Sequence, residues 1–234
     1  MAESKKSCGS GCCCSSPRAE MRLDEMTLEQ VGALPTDDLI RRFSVGVEWL
    51  DPRLFHLSDE QLDQPFLPDA GCGRWSLRAL AAHLADAEMV LLMRIRSTVA
   101  QDRPTLAIFD EEDFLASDLY GPGARAGSKI TAPVAGSLAL IHTLRRWAID
   151  WLADLTEDQF ARVALHPERG EVAARTWLAY ATWHLEHHAA IANRKVERIL
   201  GPMGAESEKQ GCCGDDCACS AERAEQGGSV EGRD

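Results

Sequence analysis

The 234-residue sequence lacks the long apolar segment that a transmembrane helix needs. A helix must keep about 18 or more apolar residues in a row to span a bilayer, and Arg94 and Arg96 interrupt the best candidate. Two lysines near the N-terminus are not followed by an apolar run, as they would be in a secretory signal. We therefore expect a soluble, cytoplasmic protein with no membrane role.

Positive charge is also in short supply. The chain has 25 Lys and Arg against 37 Asp and Glu, which gives a formal net charge of -12. A protein that binds nucleic acid gains most of its affinity from a basic surface that neutralises phosphates. The composition thus argues against a nucleic-acid partner.

Cysteine is scarce in the body of the chain and concentrated at its two ends. Only Cys72 lies between the clusters, which consist of Cys8, Cys12, Cys13, Cys14 and of Cys212, Cys213, Cys217, Cys219. In a reducing compartment, such clusters are typical of soft-metal ligands or redox thiols and not of structural disulfides. Residues 1–20 and 202–234 are also poor in large apolar residues, so we predict flexible Cys-rich tails around a body of residues 21–201.

Four long helical patterns and no recognisable strand fill this body. Apolar residues recur at spacings of three and four, and Pro and Gly separate the patterns. The patterns run from about Thr36 to Leu50, from Ser76 to before Pro104, from Pro133 to about Leu155, and from about Thr176 to Gly201. They predict an all-α protein, a four-helix bundle. The connection over 102–132 is too long for a tight turn, and its acidic stretch 109–114 suggests a short helix lying over one end as a lid.

Three histidines are the candidate metal ligands. His184 and His188 are four residues apart on the last helix, so their side chains lie on one face and can share one ion. His83 interrupts the inward-facing apolar series of the second helix and is the best third ligand. Zinc, nickel or iron would suit three imidazoles, with positions left open for water or substrate. The alternative is that His83 is an ordinary core histidine.

The motifs around these histidines resemble those of the DinB superfamily. Gly73-Arg-Trp-Ser and Ala82-His-Leu-Ala-Asp match its second-helix pattern, and Trp183-His-Leu-Glu-His-His matches its fourth-helix pattern. Three further matches narrow the resemblance to the YfiT-like branch of this superfamily. They are Pro104-Thr105, Phe109-Asp110 and the turn His166-Pro-Glu-Arg-Gly. The resemblance covers about residues 36 to 200.

The resemblance implies a homodimeric four-helix bundle whose equivalents of His83, His184 and His188 hold nickel or zinc. Members of this branch are proposed to be metal-dependent hydrolases, and bacillithiol-transferase-like relatives join a low-molecular-weight thiol to an electrophile. Ile191 stands where many members have another histidine. Asp86 and His187 are candidates for contacts that orient an imidazole or a bound water.

These observations support two functions of different classes. The first is an enzyme in which the metal activates water or a low-molecular-weight thiol against a small electrophile, as hydrolase or thiol S-transferase. The second is a non-catalytic protein that stores, senses or delivers metal through the cysteines of its tails.

Overall fold

The computed structural model describes residues 25–67, 71–121 and 131–202. Both predicted tails, with their eight cysteines, lie outside these residues except for Pro202. The helices, in chain order, are α1 (Leu28–Gly32), α2 (Thr36–Val45), α3 (Asp59–Leu62), α4 (Leu77–Ala100), α5 (Glu111–Ala116), α6 (Val134–Leu152), α7 (Glu157–Phe160) and α8 (Ala174–Leu200). A hairpin of β1 (Val163–His166) and β2 (Gly170–Ala173) precedes α8, and 3₁₀ segments cover Gly46–Trp49 and Pro52–His56.

The prediction of a four-helix bundle is confirmed. Helix α4 packs along both α6 and α8, and α2 packs on α6 and α8. The apolar faces of these helices form the core, which includes Leu39, Leu84, Ile141 and Leu185, none more than 3 % exposed. Within the described residues, no helix is both long enough and apolar enough to cross a membrane.

The ends of α4 and α8 fall where the sequence predicts them. The Ser76 hydroxyl accepts a hydrogen bond from the Ala79 amide at 3.1 Å and caps the N-terminus of α4. Gly201, with φ +84°, follows the last residue of α8, in a conformation that a residue with a Cβ adopts only with strain.

The prediction that the first long helix continues to Leu50 is wrong, because α2 ends at Val45. Gly46 has φ +56°, which breaks the α-helix, and the chain continues as a 3₁₀ turn. A Cβ at position 46 would lie 3.1 Å from Cδ of Arg145. The close approach of this buried arginine leaves little room for a side chain at position 46, where the helix ends at a glycine.

The expectation that the body contains no strand is also wrong. Val163–His166 and Gly170–Ala173 pair antiparallel, with His166 opposite Gly170. The strands have only four residues each, too few to show a period of two. His166, predicted to be a turn residue, is instead the buried last residue of β1.

The described part of the long connection after α4, residues 101–121 and 131–133, packs against the bundle through Leu106, Tyr120 and Ala132. Its short helix α5 confirms the helix expected in the acidic stretch, with Asp110 as the N-cap that accepts from the Glu112 amide. Tyr120 is buried against Ala79 and Ala82 of α4. The connection therefore borders the part of α4 that carries His83.

Candidate metal centre

The bundle brings the three predicted histidines together. His83 comes from α4, and His184 and His188 come from successive turns of α8. One ligand nitrogen from each ring can be chosen so that all three lie within 4.8 Å of one another. The ring centroids of His83 lie 5.2 Å from those of both His184 and His188, and the latter two are 4.5 Å apart.

The three imidazoles are held in their neutral form. Burial lowers the pKa of His83, and burial together with the neighbouring histidines lowers that of His184. Burial, reinforced by His83, lowers the pKa of His188 to about 3. A neutral imidazole keeps the lone pair that binds a metal, so no proton has to be displaced at neutral pH.

The geometry fits a divalent ion. Nε2 of His83 lies 3.3 Å from Nε2 of His184. Two nitrogens bound to zinc at about 2.0–2.1 Å in a tetrahedron are separated by about 3.3–3.4 Å. The buried Nδ1 atoms of His83 and His188 have no hydrogen-bond partner among the described residues, so these rings retain unused bonding capacity. The set is thus able to bind a metal.

Aromatic residues form the wall around His83. Trp75, just before α4, meets the His83 ring edge to face at 5.1 Å, and Phe109 stacks on it at 6.3 Å. Glu111 follows in the connection and is the carboxylate that most raises the pKa of His83 against the effect of burial. The acidic stretch that was expected to act as a lid therefore borders the histidines.

Asp86 lies one turn beyond His83 and faces Tyr120. Burial raises the pKa of Asp86, which the neighbouring Tyr120 hydroxyl partly opposes. Burial, followed by Asp86 and Glu111, raises the pKa of Tyr120. The Tyr120 hydroxyl interacts with the Asp86 carboxyl group, and the Tyr120 ring packs edge to face against the His83 ring, with 6.0 Å between the ring centroids.

The other residues of the last motif divide between the site and the bundle. His187 is exposed at the rim, stacks on Trp183 at 5.0 Å and lies 5.2 Å from the ring of His188. Glu186 faces away, as its helical spacing predicts, and pairs with Arg42 at 2.7 Å. Ile191, in the place of the additional family histidine, supplies an apolar contact to the same cavity.

The histidines open into a cavity of about 670 Å³ that runs along α4 and α8. Besides the histidines and the aromatic wall, it is lined by several groups to which the sequence reasoning gave no role: Arg74, Arg94, His166, Glu168, Arg169, Tyr180 and Lys195. Arg94 follows His83 by about three helical turns on α4, and Lys195 follows His188 by about two turns on α8. This helical spacing is the sequence signal that could have identified them as cavity residues. Cys72 is buried and also borders the cavity.

A buried ion pair joins the helices that carry the site. Arg145 of α6 donates from Nε and Nη2 to the two carboxylate oxygens of Glu88 on α4, both at 2.9 Å. The same guanidinium donates to the backbone carbonyls of Phe43 at 2.9 Å and Ala181 at 2.8 Å. One side chain thus connects α2, α4, α6 and α8 close to the histidine positions.

A helical bundle with a histidine cluster between its second and fourth long helices defines a class of metal-binding proteins. The sequence model of the DinB superfamily matches residues 21–192, and the chain belongs to this superfamily. This confirms the resemblance that the motifs indicated.

Relatives and a solved structure place the chain beside the YfiT-like branch. The YfiT protein of Bacillus subtilis is 34 % identical over 145 residues, which cover 61 % of this chain and 74 % of the relative. A protein of Oceanobacillus iheyensis is 28 % identical over 153 residues, covering 61 % and 81 %. The names of both propose metal-dependent hydrolases.

The YfiT structure from Bacillus subtilis superposes with a TM-score of 0.58 at 25 % identity. The match covers 75 % of this chain and 91 % of that one. That structure is described as an unusual four-helix bundle topology. Together with the histidine cluster, these similarities support a metal-dependent, DinB-like protein.

Proposed function

We propose that the protein is a metal-dependent enzyme in which His83, His184 and His188 hold one divalent ion. Zinc and nickel are the favoured metals, and iron is the alternative. The observation that carries the proposal is the convergence of three neutral imidazoles, from two helices, on one point of an open cavity. A structural zinc site usually closes its coordination with four protein ligands, whereas three histidines facing a cavity leave room for an exchangeable ligand.

When bound, the ion would lower the pKa of a water or a low-molecular-weight thiol and so supply a nucleophile at neutral pH. The protein's own residues do the remaining work. Burial keeps the histidines unprotonated, and Trp75 and Phe109 restrict access of bulk water to the His83 side. Tyr120 packs edge to face against the His83 ring, with 6.0 Å between the ring centroids, and so helps to fix the orientation of that imidazole.

Both hydrolysis and thiol transfer are compatible with this site. The names of the relatives propose hydrolases, which favours water as the nucleophile. The cavity of about 670 Å³ is larger than a water nucleophile and a small ester require, which favours a second bound molecule such as a thiol. Loaded protein should therefore be assayed against esters and amides without thiol, and against bimane and epoxide electrophiles with thiol.

Metal content measured by mass spectrometry on gently purified protein tests the proposal. The wild type is compared with His184→Ala/His188→Ala, with a variant in which the eight tail cysteines are serine, and with His142→Ala. His142 is an exposed histidine of α6 and is the matched control. We expect about one ion per chain in all proteins except the double histidine variant.

The opposite result would favour the non-catalytic alternative. If the cysteine-to-serine variant is empty while the double histidine variant stays loaded, the tails are the metal site and the storage or delivery function replaces the enzyme. That outcome would also remove the reason for assaying esters and thiols.

A further inference from the structure

The end of the cavity beyond His184 carries an accumulation of positive charge. Arg94 of α4, His166 at the end of β1 and Arg169 in the hairpin turn all line this end. Arg94 lies eleven residues from His83, which is three helical turns and about 16 Å along the axis of α4. Arg94 is therefore remote from His83, although both residues line the same cavity.

Arg94 is a buried cation without an anionic partner. Arg94 is only 9 % exposed, and its guanidinium lies 4.8 Å from the centre of the Trp177 ring. It donates one hydrogen bond, from Nη2 to the Ala107 carbonyl at 3.0 Å, while its buried Nε has no partner among the described residues. No carboxylate of the described chain lies within ion-pair distance of it, although buried cations are normally paired.

A second guanidinium faces the same space. Arg169 is exposed and lies 5.0 Å above the ring of Tyr180, again without an ion pair in the described part of the chain. Tyr180 is one helical turn before His184, and the two rings are 5.8 Å apart. A single aromatic ring therefore separates Arg169 from the proposed metal centre.

The two arginines repel each other across the cavity. Burial, followed by the charge of Arg169, lowers the pKa of Arg94. Burial, followed by both arginines, also lowers the pKa of His166. Glu168 partly offsets this field at both groups but makes no ion pair with either. A bound anion would relieve the repulsion, and the partial offset by Glu168 favours a single negative charge over a doubly charged phosphate.

We propose that Arg94 and Arg169 form a carboxylate-binding subsite, so that the molecule processed carries a carboxylate at one end and its reactive group at the histidines. This inference rests on the proposed function, which it extends to a substrate class. The planar guanidinium matches the geometry of a carboxylate, and Arg94 keeps an unpaired Nε–H group beside the cavity that Arg169 also lines. His166 accepts a hydrogen bond at Nδ1 from the Glu168 amide, at 3.3 Å, which leaves Nε2 as a donor.

A series of mercapto acids with three to eight carbons, each compared with the mercapto alcohol of equal length, tests the subsite. The protein is loaded with Co²⁺, and thiolate binding is followed through the cobalt–thiolate charge-transfer band. At the chain length that spans the cavity, we expect the acid to bind at least about tenfold more tightly than the alcohol. Arg169→Gln should lower this preference at least about threefold, whereas Arg146→Gln, an exposed arginine of α6, should leave it unchanged.

Equal affinities of acid and alcohol at every length, or a preference that survives in Arg169→Gln, would overturn the subsite. Arg169→Gln decides the question because Arg169 is exposed and its replacement leaves the core untouched.

A second experiment distinguishes failure of the carboxylate subsite from failure of the proposed metal centre. Alkanoic acids without sulfur are titrated calorimetrically into metal-free protein. If no thiol gives a charge-transfer band but alkanoates bind to the wild type and not to Arg169→Gln, the subsite stands and the metal centre fails. If thiols give the band and alkanoates give no heat in the wild type, the metal centre stands and the subsite fails.

Discussion

Removal of one partner of the Glu88–Arg145 ion pair is expected to destabilise the protein more than breaking any exposed ion pair of the described residues. The two side chains are 3 % and 2 % exposed, and the guanidinium makes two further hydrogen bonds to backbone carbonyls. In Glu88→Gln the shape is kept, but the buried arginine loses its counter-charge and one amide N–H faces a guanidinium N–H. Removing one partner of a buried pair costs about 3–5 kcal/mol.

The assay is urea unfolding followed by tryptophan fluorescence and far-UV circular dichroism, with coincidence of the two curves as the check for a two-state transition. The cost corresponds to a decrease in melting temperature of about 6–20 °C for a chain of this size. Asp38→Asn is the matched control, since it breaks the Arg41–Asp38 pair, whose side chains are 72 % and 44 % exposed. That change should cost less than about 1 kcal/mol.

A second variant tests the physical reason for the loss. Replacing both partners, with Glu88→Leu and Arg145→Met, removes the unpaired charge and should recover a large part of the stability. The reasoning would be refuted if Glu88→Gln were no more destabilising than Asp38→Asn, or if the double replacement were worse than Glu88→Gln alone.

Three further predictions concern the site and its surroundings. Zn²⁺ at about 100 times its Kd should stabilise the wild type by about 2.7 kcal/mol, which raises Tm by about 5–11 °C, and should leave His184→Ala/His188→Ala unshifted in a thermal melt. Burial lowers the pKa of Lys195 to about 8, so between that pH and its higher unfolded pKa the unfolded chain binds more protons. The stability of the wild type relative to Lys195→Met should therefore rise with pH across this window in urea titrations, and a flat difference would contradict the burial argument. Gly170→Ala should cost about 1–2 kcal/mol, because φ is +70° and a Cβ there meets no atom within 4 Å, so the cost is conformational alone; an unchanged urea midpoint would count against it.

Local sequence signals predicted the parts of the fold that depend on neighbouring residues. Helical periodicity located the four bundle helices, and Ser76 and Gly201 marked two of their ends, because capping depends on hydrogen bonds and φ angles within one turn. The spacing of four residues placed His184 and His188 on one face for the same reason. The candidate metal ligands could thus be named before the structure, with His83 added by its position in an apolar series.

Tertiary structure decided what depends on residues distant in the chain. The glycine that ends α2 lies against Arg145, a side chain from a distant part of the chain, and no local signal predicts this contact. The proposed carboxylate subsite likewise combines Arg94 of α4 with Arg169 of the hairpin turn. In the sequence, each of these arginines has the pattern of an ordinary surface residue. Arg94 is a candidate anion-binding residue because it is buried and has no carboxylate beside it among the described residues. Both properties arise from the packing of the molecule and not from the sequence around Arg94.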